Sequence, residues 1–316
     1  MNLTAIVPWF GSKRTLAPLI VEELGPHRAY WEPFCGSCAV LLAKPPSSME
    51  TVCDLHGDLT NLAMVLASDR WVDLQEHMNR TVLSEAVFRQ CYAETSGTVP
   101  ADLPTSAIAV QDRHVRRAWA YLVASWAGRN GMAGMPRYHA QISVRYTANG
   151  GSSSGRFRNV ADSIPAWHER LRNVLILNRN AFDVIARIDD AKGTAIYADP
   201  PYLMESRGAG RQTGQAGGSR YLHDFEERDH ERLAELLGRF NLARVVVSYY
   251  DHPRLTNLYP GWTVRQAYRQ KNLHSASKRG HRTCTAPEVL LINGPGLSDS
   301  GLESGEQTLF NGNADE

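Results

Sequence analysis

No stretch of this chain approaches the roughly 18 consecutive apolar residues that a membrane-spanning helix needs. Its start, MNLTAIVPWFGSKR, lacks the pattern of a signal peptide. Cysteine is scarce: five residues, at 35, 38, 53, 91 and 284. They are too few and too scattered for a disulfide framework, which points to a reducing cytoplasm. Metal-ligand patterns are missing as well. No second ligand pair stands at metal spacing from Cys35-x-x-Cys38, and His223, His230 and His252 form no recognisable set, so no metal is expected. What the chain does have is core-forming matter. Of its 316 residues 43% are hydrophobic and 21% charged, which excludes wholesale disorder and low-complexity architectures. At roughly 150 residues per domain, the length suits about two domains, or one large domain with an insertion.

The formal net charge is only +1, but it is unevenly spread. After Asn293 the tail carries five acids (Asp299, Glu303, Glu306, Asp315, Glu316) and no Lys or Arg, which leaves +6 on residues 1–293. Gln111–Arg172 holds ten Arg against three acids, and Val264–Arg282 holds six Lys or Arg and no acid. Two basic stretches beside an acidic tail fit a polyanion partner. On charge alone a pair of solvated basic faces fits equally well.

Five short β-branched or apolar runs each end in a polar residue at a turn: Thr51–Asp54, Val174–Asn178, Thr194–Asp199, Arg244–Ser248 and Glu288–Asn293. Such runs predict strands buried on both faces of a mostly parallel sheet. Between them, Glu226–Phe240 places Leu233, Leu236, Leu237 and Phe240 on one helical face, and Leu16–Leu24 and Leu59–Leu66 read similarly. The alternation predicts an α/β, doubly wound sheet. It breaks from about Ala67 to Asn159, with helices at Trp71–Met78, Ser84–Cys91 and Arg113–Trp126, then a glycine-rich stretch around a hairpin at Tyr138–Tyr146. This predicts a mainly helical insert at 67–159 within a domain made of 1–66 and 160–293. Residues 294–316 are expected to be a disordered acidic tail, and Arg207–Ser219, with five glycines, a mobile loop.

The most informative segment is Asp199-Pro200-Pro201-Tyr202, directly after a predicted strand. In an open α/β sheet, ligands bind beyond the carboxyl ends of strands, where this tetrapeptide would lie. Asp199 and the Pro200 carbonyl are two acceptors able to grip both N–H bonds of an exocyclic amine. Pro200 and Pro201 restrict the backbone and add no competing donor. Tyr202 offers a flat face to a base. An adenine amine is a poor nucleophile because its lone pair is delocalised into the ring, and two acceptors that pull it toward tetrahedral geometry localise that pair. A second segment, Glu32-Pro33-Phe34-Cys35-Gly36-Ser37-Cys38-Ala39-Val40, places Gly36 and small residues where the backbone can approach a ligand. About twenty residues later Asp54 ends a strand, the spacing at which a carboxylate can accept from ribose hydroxyls. Loop, spaced Asp and Asp-Pro-Pro-Tyr together are far more specific than any one of them.

In this order the motifs resemble the Dam-like family of adenine-specific DNA methyltransferases, over nearly all of residues 5–293. Trp9-Phe-Gly-Ser-Lys13 looks like the family's N-terminal signature, and the resemblance assigns Trp9 and Lys13 to the S-adenosylmethionine site. It assigns Glu32, Pro33, Phe34 and Gly36 to the cofactor loop, and Asp54, within Val52–Asn61, to the ribose. Asn178–Asp183 is similar to the segment that contacts the cofactor's adenine, with Asn180 where an acid often stands and Phe182 close by. Asp199–Tyr202 is similar to the catalytic tetrapeptide. The family's loop usually has a second glycine or very small residue where this chain has Cys38, and its best-known members carry a base-reading Lys where this chain has Pro8. The resemblance implies a Rossmann-like methyltransferase sheet with a DNA-recognition insert, matched loosely at Trp126–Asn130 and Arg156–Val160. It implies S-adenosyl-L-methionine as cofactor and double-stranded DNA as substrate, without a membrane or a metal.

With that reading, Arg113, Arg116, Arg117 and Arg129 become candidate phosphate contacts and Asn130 a further DNA contact, while Arg137 and Arg145 on the predicted hairpin become candidate base readers. A flipped adenine is expected to stack on Tyr202, with the loop at 203–220 closing over it. Two alternatives remain open: methylation of another nucleic-acid amine (cytosine or RNA adenine), and a catalytically silent DNA-binding protein of the same fold. The motifs do not distinguish a solitary enzyme from one half of a restriction–modification pair.

Overall fold

The computed structural model describes residues 4–9, 11–95, 102–128, 142, 144, 152–203, 225–270 and 285–297. Seven strands form one sheet: β1 (Ala29–Glu32), β2 (Met49–Cys53), β3 (Leu175–Leu177), β4 (Thr194–Ala198), β5 (Arg244–Tyr250), β6 (Thr263–Gln270) and β7 (Thr285–Ile292). Their order is β3-β2-β1-β4-β5-β7-β6. The first five run parallel, and β7 is antiparallel to both β5 and β6. All five strands predicted from apolar runs are present, within a few residues at each end. Two lay outside those runs: β1 has four residues, two of them aromatic, and β6 reads as part of a basic stretch. The doubly wound, Rossmann-like sheet expected from the alternation is therefore the observed one.

The strand order reverses between β1 and β4, the position at which an open α/β sheet leaves a crevice beyond its strand carboxyl ends. β4 is buried along its whole length. Helices cover both faces and make two apolar clusters. One holds α1 (Ala17–Leu24), α3 (Gly57–Ala67), α4 (Trp71–Arg80), α5 (Glu85–Thr95), α6 (Asp112–Ala127) and α7 (Ser153–Leu171), with the short α2 (Ala39–Ala43) at its edge. The other holds α8 (Ala181–Ile185), α9 (Glu227–Gly238) and α10 (Leu255–Leu258). α9 closes its first turn with a reciprocal cap, in which Glu226 and Asp229 each accept from the other's backbone N–H.

Between β2 and β3 the chain runs through α3 to α7. The longest of these, α7, carries the chain across residue 160, where the sequence pattern ends the insert. Its serine- and glycine-rich first turn hid it from a reading by pattern, although Phe157, Val160, Ala161, Ile164, Trp167 and Leu171 keep helical spacing and are buried. Pro165 lies inside this helix and removes the N–H that would reach the Ala161 carbonyl. Gln75 of α4 fills the gap, donating Nε2–H to Ala161 O at 3.2 Å. Where α7 returns to the sheet, Arg170 Nη2 and Lys44 Nζ both donate to Glu50 of β2, at 2.9 and 2.5 Å. Burial alone would push the Glu50 carboxyl up; these two cations outweigh it and hold it below the usual range.

The expected hairpin at 138–146, apart from Ile142 and Val144, the loop at 207–219 and the tail from residue 298 lie outside the described residues. Gly294–Leu297 is described, and the Leu297 N–H donates to the buried Glu23 at 2.9 Å. Among the described residues no helix is long and apolar enough to cross a membrane.

Candidate active site

The crevice is built first by the loop between β1 and α2. Four residues, Cys35 to Cys38, turn tightly, with Cys38 N–H donating to Cys35 O at 2.7 Å, while Cys35 N–H donates to Cys53 O of β2 at 2.9 Å. Gly36 sits at φ +44, which favours glycine, and a Cβ there would also crowd the Trp9 ring at 3.1 Å. Cys38 also adopts a left-handed conformation, φ 57, without being glycine. That is the position where the family resemblance led us to expect a second glycine or very small residue, and a side chain there carries backbone strain of roughly 1–2 kcal/mol.

Asp54 follows β2 and faces this loop. Its Oδ2 accepts from Gly36 N–H and its Oδ1 from His56 N–H, both at 2.9 Å. The carboxylate thus ties two loops together and stands on the cleft wall with Leu55 and His56. Past the end of β3, the strand next to β2, Asn180 caps α8, its Oδ1 accepting from Phe182 N–H at 2.9 Å. An amide whose oxygen is committed in this way has N–H bonds to offer a ligand. Phe182 stacks on Phe225 with ring centroids 5.5 Å apart, and Phe34 meets Phe225 edge-on at 5.6 Å. These aromatic groups form one wall of a cleft of about 1020 Å³ including its open mouth.

At the cleft floor, Glu32 ends β1. It is buried, and its Oε2 accepts from Tyr30 OH at 2.8 Å and Leu41 N–H at 3.2 Å. Burial outweighs those bonds and pushes its carboxyl up to about 8, so the group is mostly neutral at pH 7. Asp199 follows β4, with its side chain 21% exposed. Lys13 Nζ donates to its Oδ2 at 2.8 Å and Ser248 Oγ to its Oδ1 at 2.8 Å. Lys13 Nζ also donates to Gly11 O, at 2.8 Å, and lies 4.9 Å above the centre of the Tyr202 ring. Tyr202 is 6% exposed and meets Tyr250 edge-on at 4.5 Å. The cleft wall beside Asp199 is formed by Pro200 and Pro201.

The structure therefore brings together Trp9, Lys13, Glu32, Pro33, Phe34, Gly36, Asp54, Asn180, Phe182, Asp199, Pro200 and Pro201 on one cleft, with Tyr202 behind it. The basic candidates lie elsewhere, on α6. Arg117 is committed inward: its guanidinium grips both carboxylate oxygens of buried Asp58 on α3 and donates to Glu94 O. Arg116 pairs with Glu94 and lies 5.2 Å over the Trp119 ring, and Arg113 pairs with Asp102, both with guanidinium groups in solvent. Arg129, Asn130, Arg137 and Arg145 lie outside the described residues. Among the described residues no group of three His, Cys, Asp or Glu could hold a metal ion.

Sequence reasoning missed Ser248, Tyr197, His56, Leu55 and Phe225. Ser248 had a signal, because it is the polar residue closing a predicted strand, as Asp54 and Asp199 do. Tyr197 reads as a strand residue, and Phe225 follows the loop with no pattern to mark it.

The family model described as D12 class N6 adenine-specific DNA methyltransferase matches residues 9–275. Among curated proteins none matches the chain. Among solved structures it is similar to SMU.472, a provisionally assigned methyltransferase complexed with SAH, at 10% sequence identity and a TM-score of 0.35. That match covers 89% of this chain and 52% of the other, so this chain spans about half of its length.

Proposed function

The chain belongs to the D12 class N6 adenine-specific DNA methyltransferase family, and from that membership we propose that it moves a methyl group from S-adenosylmethionine to the exocyclic amine of an adenine flipped out of duplex DNA. The observation that carries this reading is the Asp199 carboxylate, fixed at the β4 end on the floor of a cleft whose opposite wall bears Asp54.

The donor and acceptor chemistry of the cleft fits S-adenosylmethionine. Asp54 is an acceptor for ribose hydroxyls, Asn180 and Phe182 lie beside an aromatic wall suited to a purine, the Asp199 carboxylate can face a cation, and the mostly neutral Glu32 carboxyl offers a hydrogen-bonding group on the floor. When bound, the cofactor supplies an electrophilic methyl group on sulfur. The chain's own residues do the rest. Asp199 and the Pro200 carbonyl accept the two N–H bonds of the amine and turn its lone pair out of the ring. As the C–N bond forms and the methyl's bond to sulfur breaks, its electron pair staying on sulfur, Asp199 would take the proton the amine gives up. Lys13 stands over Tyr202, so a base that stacks on this ring must first displace the ammonium from its face. The helices from α4 to α6, with the residues up to 159, form the DNA-recognition part, and a DNA substrate puts the enzyme in the cytoplasm.

The test is direct. Mixed-sequence DNA duplex and, in a parallel arm, mixed-sequence RNA are each incubated with methyl-labelled cofactor and digested to nucleosides. Label in N6-methyladenosine from DNA supports the reading; label in N4-methylcytosine, or in RNA only, overturns it. DNA binding with neither S-adenosylmethionine binding nor transfer points instead to a silent DNA-binding protein, the reading that Cys38 and Asn180 motivate.

A further inference from the structure

Asp199 is held at both oxygens, and one of the two holders, Ser248, has been assigned no role in the cleft. We infer that Ser248 is a positioning residue for methyl transfer, orienting Asp199 through a buried hydrogen-bond chain that begins at Tyr197; the inference rests on the proposed function of the cleft. Register explains how the three groups meet. Ala198 of β4 pairs with Val247 of β5, so Asp199 and Ser248 are the next pair, and Tyr197, level with Val246, shares their face one step back.

The direction of the chain follows from proton counting. Ser248 has one hydroxyl hydrogen, and it goes to Asp199 Oδ1 at 2.8 Å. The contact of 3.0 Å between Tyr197 OH and Ser248 Oγ therefore has the tyrosine as donor. Tyr197 is 1% exposed and Ser248 fully buried. Burial, then the nearby Asp199, pushes the Tyr197 phenol well up, so it remains a donor at any working pH. Oδ2 of the same carboxylate takes Lys13 at 2.8 Å. With each oxygen tied to a different element, neither side-chain torsion of Asp199 is free. Its outward lone pairs keep one direction, toward the cleft. A general acceptor misplaced by even about 1 Å can lose roughly a hundred-fold in rate, so a group that only fixes direction affects turnover and leaves cofactor binding alone.

The experiment compares wild type with Ser248→Ala, Ser248→Thr and Tyr197→Phe, reading turnover on adenine, the KM for S-adenosylmethionine and the thermal midpoint. Ser248→Ala is expected to cut turnover by roughly ten- to a hundred-fold, the worth of one hydrogen bond to a charged group. KM should stay near wild type, the midpoint should fall modestly because the buried Tyr197 hydroxyl loses its acceptor, and Ser248→Thr, which restores the hydroxyl, should recover most of the rate and the midpoint. Tyr197→Phe should cost a few-fold. Turnover of Ser248→Ala within two-fold of wild type overturns the inference, as does a loss carried by KM. If both Ser248 variants misfold, Tyr197→Phe decides: a folded variant at full rate overturns it. A wild type that makes no N6-methyladenosine sinks the proposed function and this inference together. An active wild type with an unaffected Ser248→Ala sinks the inference alone.

Discussion

At the residue scale two carboxyl groups on one floor are held in opposite ways. Asp199 is met by an ammonium and a hydroxyl; Glu32 is buried with only neutral donors at its bonded oxygen. Removing the first carboxylate therefore has two effects that different substitutions separate. Asp199→Ala leaves Lys13, 3% exposed, without its ion-pair partner, and should cost stability of about 1–3 kcal/mol besides abolishing transfer. Asp199→Asn keeps an acceptor for Lys13 but not a carboxylate. It should stay within about 1 kcal/mol of wild type in a urea titration and still give no methylated product. Glu32 makes a prediction about pH. Its carboxyl titrates near 8 in the folded chain against 4.5 as its ordinary value, so the unfolded chain ionises first. Stability linked to this group is full below pH 4.5, declines as pH rises, and is exhausted above about 8. Glu32→Gln cannot ionise. Unfolding midpoints measured from pH 5 to 8 should fall more steeply in wild type than in this variant; parallel profiles would contradict the burial argument.

At the element scale, the loop between β1 and α2 and the packing of α6 on α3 show what holds the cleft in place. Gly36 has a positive φ, and a Cβ there would press within 3.1 Å of the Trp9 ring. Gly36→Ala should cost roughly 1–2 kcal/mol for the left-handed backbone alone. Because Asp54 holds the Gly36 N–H, the same change should weaken S-adenosylmethionine binding in a calorimeter. The α6 arginines divide by partner. Arg117→Ala strands Asp58, whose carboxyl burial already pushes up; the loss should be about 3 kcal/mol, the low end for a broken buried pair because Arg117 is 23% exposed. Arg113→Ala and Arg116→Ala break surface pairs and should cost less than about 1 kcal/mol. Equilibrium denaturation of the three variants checks the ordering.

At the scale of the whole molecule, charge is the remaining lever. With Arg117 turned inward, the exposed Arg113 and Arg116 of α6 are the described candidates for gripping phosphates. Removing an arginine that neutralises one phosphate should lower the slope of log affinity against log salt by about one. The fall in affinity should be alike on the methylated site and on a scrambled duplex, because phosphates carry no sequence information. Binding titrations at several salt concentrations read both. An unchanged slope for both variants would mean that this face of α6 does not touch DNA.

The sequence alone determined whatever depends on near neighbours. Apolar runs made five strands legible, and the spacing from Gly36 to Asp54 and the tetrapeptide after β4 marked the cleft, because strand period and turn chemistry are local. It did not reveal α7, whose serine- and glycine-rich start conceals a buried face, nor β1, which is too short to show a period. Partners were decided by tertiary structure. Lys13 reaches Asp199 across 186 residues, and Ser248 reaches the same carboxylate across 49; Arg117 finds Asp58 rather than solvent, Asn180 spends its oxygen on a helix end, and Tyr202 lies under an ammonium. Each of these pairings follows from the order and register of strands and the packing of helices on them. Those are set by how the whole core closes, and no window of sequence contains that information.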